Sequence, residues 1–293
     1  MQKLTRQQLA LLFFITLFWG FNWPVMKLGI SGYPPLSFRT LCMWLGLPLL
    51  ALVLRRMKVP FGVPRAQWRE LAWLTVTNML VWHALIIVAL RSLPSGRAAI
   101  LGYTMPVFSA VMGALWFGNR LLPRAWAGVA AAAAGVLLLL WHEFTVFSGR
   151  PWGVLMALTA AATWALGTQL MRRTRMTVPT LTISFWMTAL TTVSMTLLSV
   201  VFESSQWAWP SGPTWAAIVF NAVLIFAFAQ AAWFSLARDL PPVASSLSVM
   251  LIPVLGVFSG AWVLGEVIHW QDWSAMALMI VAIGSVLLPA RSR

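Results

Sequence analysis

Residues 93–119 read LPSGRAAILGYTMPVFSAVMGALWFGN, and residues 240–266 read LPPVASSLSVMLIPVLGVFSGAWVLGE. Laid over each other without a gap, at an offset of 147, they match at the residues that shape a helix. Leu93-Pro94 falls on Leu240-Pro241, Pro106-Val107 on Pro253-Val254, Ser109-x-x-x-Gly113 on Gly256-x-x-x-Gly260, and Gly118-Asn119 on Gly265-Glu266. Further along, Trp126 falls on Trp273. Earlier in the chain the offset is 145, pairing Trp19 with Trp164, Met26 with Met171, Lys27 with Arg172 and Pro34 with Pro179. A small length difference between the second and fourth apolar segments accounts for the change. Chance supplies one or two such pairs, whereas an offset held across so many marks an internal duplication.

The chain has 293 residues, 60% of them hydrophobic and 9% charged. A soluble domain needs roughly a quarter of its residues charged to cover its surface, so the solvent for most of this chain is lipid. Its apolar runs are about 18–23 residues long, enough to cross roughly 30 Å of hydrocarbon as helices. Helices also satisfy their own backbone groups where no water can, and the alternating segments that a barrel needs are absent. Ten spans follow, at 9–27, 36–54, 69–90, 95–117, 124–142, 152–171, 180–202, 214–236, 243–264 and 271–289. The run at 9–26 follows Lys3 and Arg6 as a signal peptide would. Its length, its Trp19, Trp23 and Pro24, and the lack of a small-residue cleavage site instead make it a retained first helix. The lone cysteine, Cys42, permits neither a disulfide nor a cysteine metal site within one chain. The expected fold class is an all-α integral membrane protein of ten transmembrane helices.

The formal net charge is +14, and its distribution matters more than its sum. On one side of the ten spans fall Lys3, Arg6, Arg55, Arg56, Lys58, Arg65, Arg69, Arg120, Arg124, Arg172, Arg173, Arg175, Arg238, Arg291 and Arg293. On the other fall only Lys27, Arg91, Arg97 and Arg150. Positive-inside bias then puts both termini in the cytoplasm, so no nucleic-acid partner is needed to explain the charge. A unit of five helices begins and ends on opposite faces of the membrane, and its copy must be inverted. The expected architecture is two inverted five-helix repeats, residues 1–145 and 146–293, enclosing a central cavity as one transmembrane domain. Inverted repeats with a site between them are a recurrent transporter design that supports alternating access.

Trp19-Gly20-Phe21-Asn22 in the first span, Arg39 at the start of the second, the Pro-Val of the fourth and Leu264-Gly265-Glu266 closing the ninth together resemble the EamA-type transporters of the drug/metabolite transporter superfamily, and within it the branch exporting aromatic and other amino acids. The resemblance covers essentially the whole chain. It implies ten helices, a bacterial inner-membrane location, a cavity lined mainly by spans 1, 3, 4, 6, 8 and 9, and outward movement of small metabolites. The second half departs from the first, with Trp164-Ala165-Leu166-Gly167 in place of Trp-Gly-Phe-Asn and Glu266 in place of Asn119.

Glu70, Glu143, Glu203, Asp239, Glu266 and Asp272 all fall near span ends or in loops. The buried carboxylate that commonly carries a proton or sodium ion in pumps, or pairs with a cationic drug, is therefore missing. Intramembrane cations are as scarce, which disfavours phosphorylated or nucleotide-sugar solutes. Arg39 reads first as a side chain snorkelling to the outer interface, and Lys27 and Arg172 as anchors of helix ends. His83 lies in mid-span, and the repeat pairs it with Gln230. It is the one deep group whose ordinary pKa suits proton coupling. Asn22, Asn78, Asn221 and Gln230 are amides in hydrocarbon, costly unless paired, so they face protein or a wet cavity. Trp19, Trp82, Trp164 and Trp233 sit deep beside them. With Tyr103 and Met105 they could form an aromatic, weakly polar pocket suited to a neutral, zwitterionic or aromatic solute. The substrate-cavity candidates are thus Trp19, Asn22, Asn78, Trp82, His83, Tyr103, Trp164, Asn221, Gln230 and Trp233, and the hinge candidates are Pro24, Pro106 and Pro253.

These residues point to a secondary transporter of small metabolites, amino acids first, working without a cofactor or metal as a monomer or weak homodimer in a lipid bilayer, and the resemblance implies that it exports them. A multidrug or nucleotide-sugar carrier is the alternative within transport. A membrane enzyme or a receptor is the alternative outside it. For an enzyme the sequence offers no His-rich box, paired carboxylates or Ser/His/Asp set at mechanistic spacing, so no catalytic residue is assigned. It has no Gly-x-x-x-x-Gly-Lys loop for direct use of ATP.

Overall fold

A computed structural model describes residues 5–119, 121–145, 151–236 and 242–287. The described residues are helical with no strand, as lipid demands of a chain that must pair its own backbone groups. The helices are α1 (Arg6–Ile30), α2 (Pro35–Arg56), α3 (Trp68–Thr75), α4 (Val81–Ala89), α5 (Ser95–Gly102), α6 (Met105–Phe117), α7 (Pro123–Thr145), α8 (Pro151–Met171), α9 (Thr180–Glu203), α10 (Gly212–Phe220), α11 (Gln230–Leu236), α12 (Pro242–Leu264) and α13 (Trp270–Leu287). Eight stretches of described chain are long and apolar enough to cross a membrane, from Arg6–Ile30 to Gly212–Trp233, and Met250–Leu264 is a shorter apolar helix. Leu240-Pro241 and the cations Lys3, Arg120, Arg150, Arg238, Arg291 and Arg293, used above for the repeat and the orientation, lie outside the described residues.

Helix starts follow local chemistry. Thr5 caps α1 in a capping box with Gln8, and Pro35 occupies the first turn of α2, where its missing N–H costs nothing. α6 ends on Gly118 at φ 69°, and Gly265, after α12, has φ 66°. Both glycines sit in the left-handed region that a side chain disfavours, and after each the chain turns back. The Asn119 N–H bonds the Gly113 carbonyl at 2.9 Å and the Glu266 N–H bonds the Gly260 carbonyl at 3.4 Å.

Among the described residues three spans are not plain α-helices. α3 and α4 are joined by a π-helical turn, Val76–Leu80, and α10 and α11 by a longer π-helical segment, Asn221–Ala229. α5 and α6 are separated at Tyr103-Thr104. Pro106 therefore stands in the first turn of α6, where the helix has already been interrupted, while Pro24 and Pro253 lie inside α1 and α12.

The helices pack in a recurring pattern. α1 lies along α12, and α8 along α5 and α6; α2 meets α9, and α7 meets α13; α4 packs on α8, and α10 on α1. Small residues allow the closest of these approaches. A Cβ on Gly256 would come within 2.7 Å of the Ala99 Cβ, and one on Gly96 within 2.9 Å of the Val257 Cα.

The carboxylates at helix ends hold the bundle at its two faces. At one face Glu203 accepts from the N–H groups of Leu36 (3.0 Å) and Ser37 (2.7 Å), at the start of α2. Glu266 accepts from the Ser95 N–H (2.7 Å), the Ser95 hydroxyl (2.8 Å) and the Gly96 N–H (3.3 Å), at the start of α5. Negative charge is favoured at both sites by the helix dipole. On the same face the Lys27 ammonium donates to the carbonyls of Leu90 and Leu93 at the end of α4, the complementary arrangement. Arg97 and Asp272 form a buried ion pair at 2.6 Å. At the opposite face Glu70 accepts from the Thr174 hydroxyl, and Thr182 donates to the Pro60 carbonyl (2.6 Å).

Candidate functional site

A cavity of about 340 Å³ runs through the middle of the bundle. Its first wall is one face of α1. Trp19, Asn22, Trp23 and Met26 all line it, at the spacing of 3, 4 and 7 that places residues on a single helical stripe. The π-helical turn before α4 places Asn78 and Met79 on the wall, and α4 continues it with Trp82, His83 and Ile86. Tyr103 and Met105 enter at the break between α5 and α6. Trp164, Thr168, Met171 and Arg172 come from the end of α8, and Ile225, Phe226, Gln230 and Trp233 from the second π-helical segment and α11.

The tryptophans work in pairs. Trp19 meets Trp233 with ring centroids 5.4 Å apart, and Trp82 meets Trp164 at 5.3 Å, edge to face. One member of each pair comes from the first half of the chain and one from the second. Trp23 and Tyr103 add a third contact at 6.4 Å.

Polar groups are few and specifically placed. The Gln230 amide donates to the hydroxyls of Ser184 (2.6 Å) and Thr188 (3.0 Å) on α9. The Asn78 amide donates to the Leu74 carbonyl at 3.3 Å, across the backbone irregularity, and packs on Gly167. Asn22 Oδ1 and His83 Nδ1 are buried without a hydrogen-bond partner. Among the described residues no aspartate or glutamate lines the cavity.

Of the ten cavity candidates, nine line this space. Asn221 does not. It is fully buried behind the wall, where its Oδ1 accepts from Arg39 Nη1 at 3.2 Å and its amide donates to the Ala217 carbonyl. Arg39 itself corrects the sequence reading. It does not snorkel to an interface but is 2% exposed and lines the cavity. Its guanidinium contacts the Met26 sulfur and lies 5.7 Å from the centre of the Phe226 ring. The cause is orientation: Arg39 lies one turn into α2, on the side facing α1 and the second π-helical segment, so its side chain points into protein. Arg172, expected to anchor a helix end, also borders the cavity and is exposed. Span 2 thus contributes through Arg39 and span 7 through Met187, whereas span 9 contributes no lining residue among those described. Trp23 and Met26 were missed, although their spacing from Trp19 was a readable signal. Phe226 and Met187 had none.

With the cavity described, comparison with known proteins adds its family. The sequence pattern of the EamA-like transporter family matches residues 8–141 and again residues 151–288. The chain belongs to the EamA-like transporter family. It is therefore a multi-pass membrane transporter of the drug/metabolite transporter superfamily. It is 28% identical over 288 residues to the "Uncharacterized inner membrane transporter YedA" of Escherichia coli (strain K12), covering 96% of this chain and 92% of that one. A "Probable amino-acid metabolite efflux pump" of Salmonella typhimurium is 25% identical over 285 residues, covering 94% and 92%. A similarly named Escherichia coli protein is 29% identical over 166 residues, covering 56% and 53%. One solved crystal structure superposes with a TM-score of 0.69 over 97% of this chain and 98% of the other at 22% identity, a likeness of fold.

Proposed function

We propose that this EamA-family chain exports small metabolites, amino acids first, across a bacterial inner membrane by alternating access of the central cavity. The observation that carries the reading is the character of that cavity. Among the described residues it has paired tryptophans on two walls, isolated amides, one cation deep inside and no lining carboxylate. Such a surface suits an aromatic or zwitterionic solute of modest size. It offers a cationic drug no counter-charge and a nucleotide sugar too little positive charge. The efflux activity in the names of two relatives supports the outward direction, and the name of a third supports the inner membrane.

The architecture in this proposal is ten helices in two inverted halves, residues 1–145 and 146–293. Its support is the double family match, the two π-helical segments and the two left-handed glycines at repeat-related positions, and the exchange-symmetric helix contacts. Both termini are cytoplasmic, so the face carrying Glu70 is the inner one. The cavity extends to exposed Arg172 on that side, whereas towards the face held by Glu203, Glu266 and Lys27 its lining residues Met26, Ile86 and Tyr103 are buried. The conformation is thus the one that loads solute from the cytoplasm. A monomer suffices, because the whole cavity is built from one chain.

The test is a proteoliposome flux screen over amino acids, run with and without a pH gradient. Saturable flux of at least one amino acid, reduced in Trp164→Ala, is the expected result. Flux of none overturns the amino-acid proposal.

A further inference from the structure

Among the described residues Arg39 is a cation inside the bundle with no carboxylate in reach. Its partners are all neutral: the Asn221 carbonyl oxygen, the Met26 sulfur and the Phe226 ring. These hold the guanidinium in place without cancelling its charge. Its Nε is buried with no hydrogen-bond partner, and the side chain borders the cavity where the other lining residues, Met26, Ile86 and Tyr103, are buried. A buried charge left uncompensated is costly, and removing that cost favours whatever anion arrives. A second unpartnered group lies close by. Asn22 is one helical turn along α1 from Met26, which Arg39 touches, and the Asn22 Oδ1 is an acceptor with nothing to accept. Donor and acceptor so placed complement a carboxylate and an ammonium on neighbouring atoms.

We propose that Arg39 is the carboxylate anchor of the transport cavity. The solute's carboxylate docks on the free Nε edge of the guanidinium, its amino group faces Asn22, and its side chain lies against the Trp82–Trp164 pair. The inference rests on the cavity being the solute path. It narrows the substrate class to compounds bearing a carboxylate, and it gives Asn221 a positioning role.

The experiment uses matched sets sharing one side chain: L-phenylalanine, L-phenylalaninamide and phenethylamine, and the same three for leucine and methionine. Efflux from proteoliposomes is compared for the wild type, Arg39→Gln, Arg39→Lys and Asn221→Asp. In the wild type the acids should leave faster than their amides and amines. Arg39→Gln should lower acid flux by about ten- to hundredfold relative to amide flux, the worth of a charge-assisted contact, and so erase the acid preference. Arg39→Lys should keep part of the acid preference. Asn221→Asp places a permanent carboxylate on the guanidinium and should abolish acid preference even if Arg39→Gln fails to fold. Amides moving as fast as acids in the wild type, or acid and amide flux falling together in a folded Arg39→Gln, overturns the anchor alone. Flux of no compound in any set overturns the transport reading and the anchor with it.

Discussion

Glu266→Gln should loosen the closed end of the cavity. The Glu266 carboxylate receives three hydrogen bonds from Ser95 and Gly96 at the first turn of α5, and the glutamine keeps one acceptor and loses the charge. A carboxylate at a helix N-terminus with two backbone N–H partners is worth about 1.5–2 kcal/mol more than a neutral amide in that place. That loss falls on the state closed at this end, since opening α5 away from the turn after α12 breaks the contact in either variant. The opening equilibrium should therefore rise about 10–30-fold. Ala98 is fully buried on α5 and does not line the cavity, so its accessibility reports opening of this interface. In a Cys42→Ser background carrying Ala98→Cys, maleimide labelling of the purified protein should speed up by that factor when Glu266→Gln is added. An unchanged labelling rate would show that the carboxylate does not hold this end shut, and the assignment of the closed end would fall.

Other substitutions probe the remaining contacts. Trp164→Ala removes the edge-to-face contact with Trp82 and one wall of the cavity, and should lower kcat/KM roughly tenfold with membrane insertion unchanged. His83→Ala should also reduce flux, and if His83 carries a coupled proton the dependence of flux on the pH gradient should vanish with it; unchanged flux in both variants would misplace the cavity. Gly256→Val drives a side chain onto Ala99, whose Cβ would lie 2.7 Å from the new Cβ, and should cost about 1–3 kcal/mol, seen as a lower Tm in detergent. Gly62→Ala, with nothing within 4 Å, should leave Tm where it is. Single cysteines at Arg120 and Glu266 should label from opposite sides of the membrane; labelling from one side would end the inverted-repeat reading.

Much of the fold was legible because lipid imposes simple rules. Each span had to be apolar for about 20 residues, and Pro35, Pro123, Pro151 and Pro242 mark helix starts within a residue or two of where they were expected. The π-helical turns were not legible. An extra residue per turn is accommodated where a neighbour compensates, as beside Asn78, which packs on Gly167 of α8. No periodicity within the third span announces that contact.

The site divides along the same line. Sequence alone determined which residues are deep and polar or aromatic, since depth follows from position along a span, and the repeat singled out Trp19 with Trp164 and His83 with Gln230. Only the packed bundle decided which way each side chain turns. Asn221 and Gln230 belong to one span, yet one braces a guanidinium and the other borders the cavity. Arg39, one turn from a helix end, was as compatible with the lipid interface as with the interior. Hydropathy measures how far a residue lies along the membrane normal, whereas rotation about the helix axis is set by the neighbours the helix packs against, and most of those come from the other half of the chain.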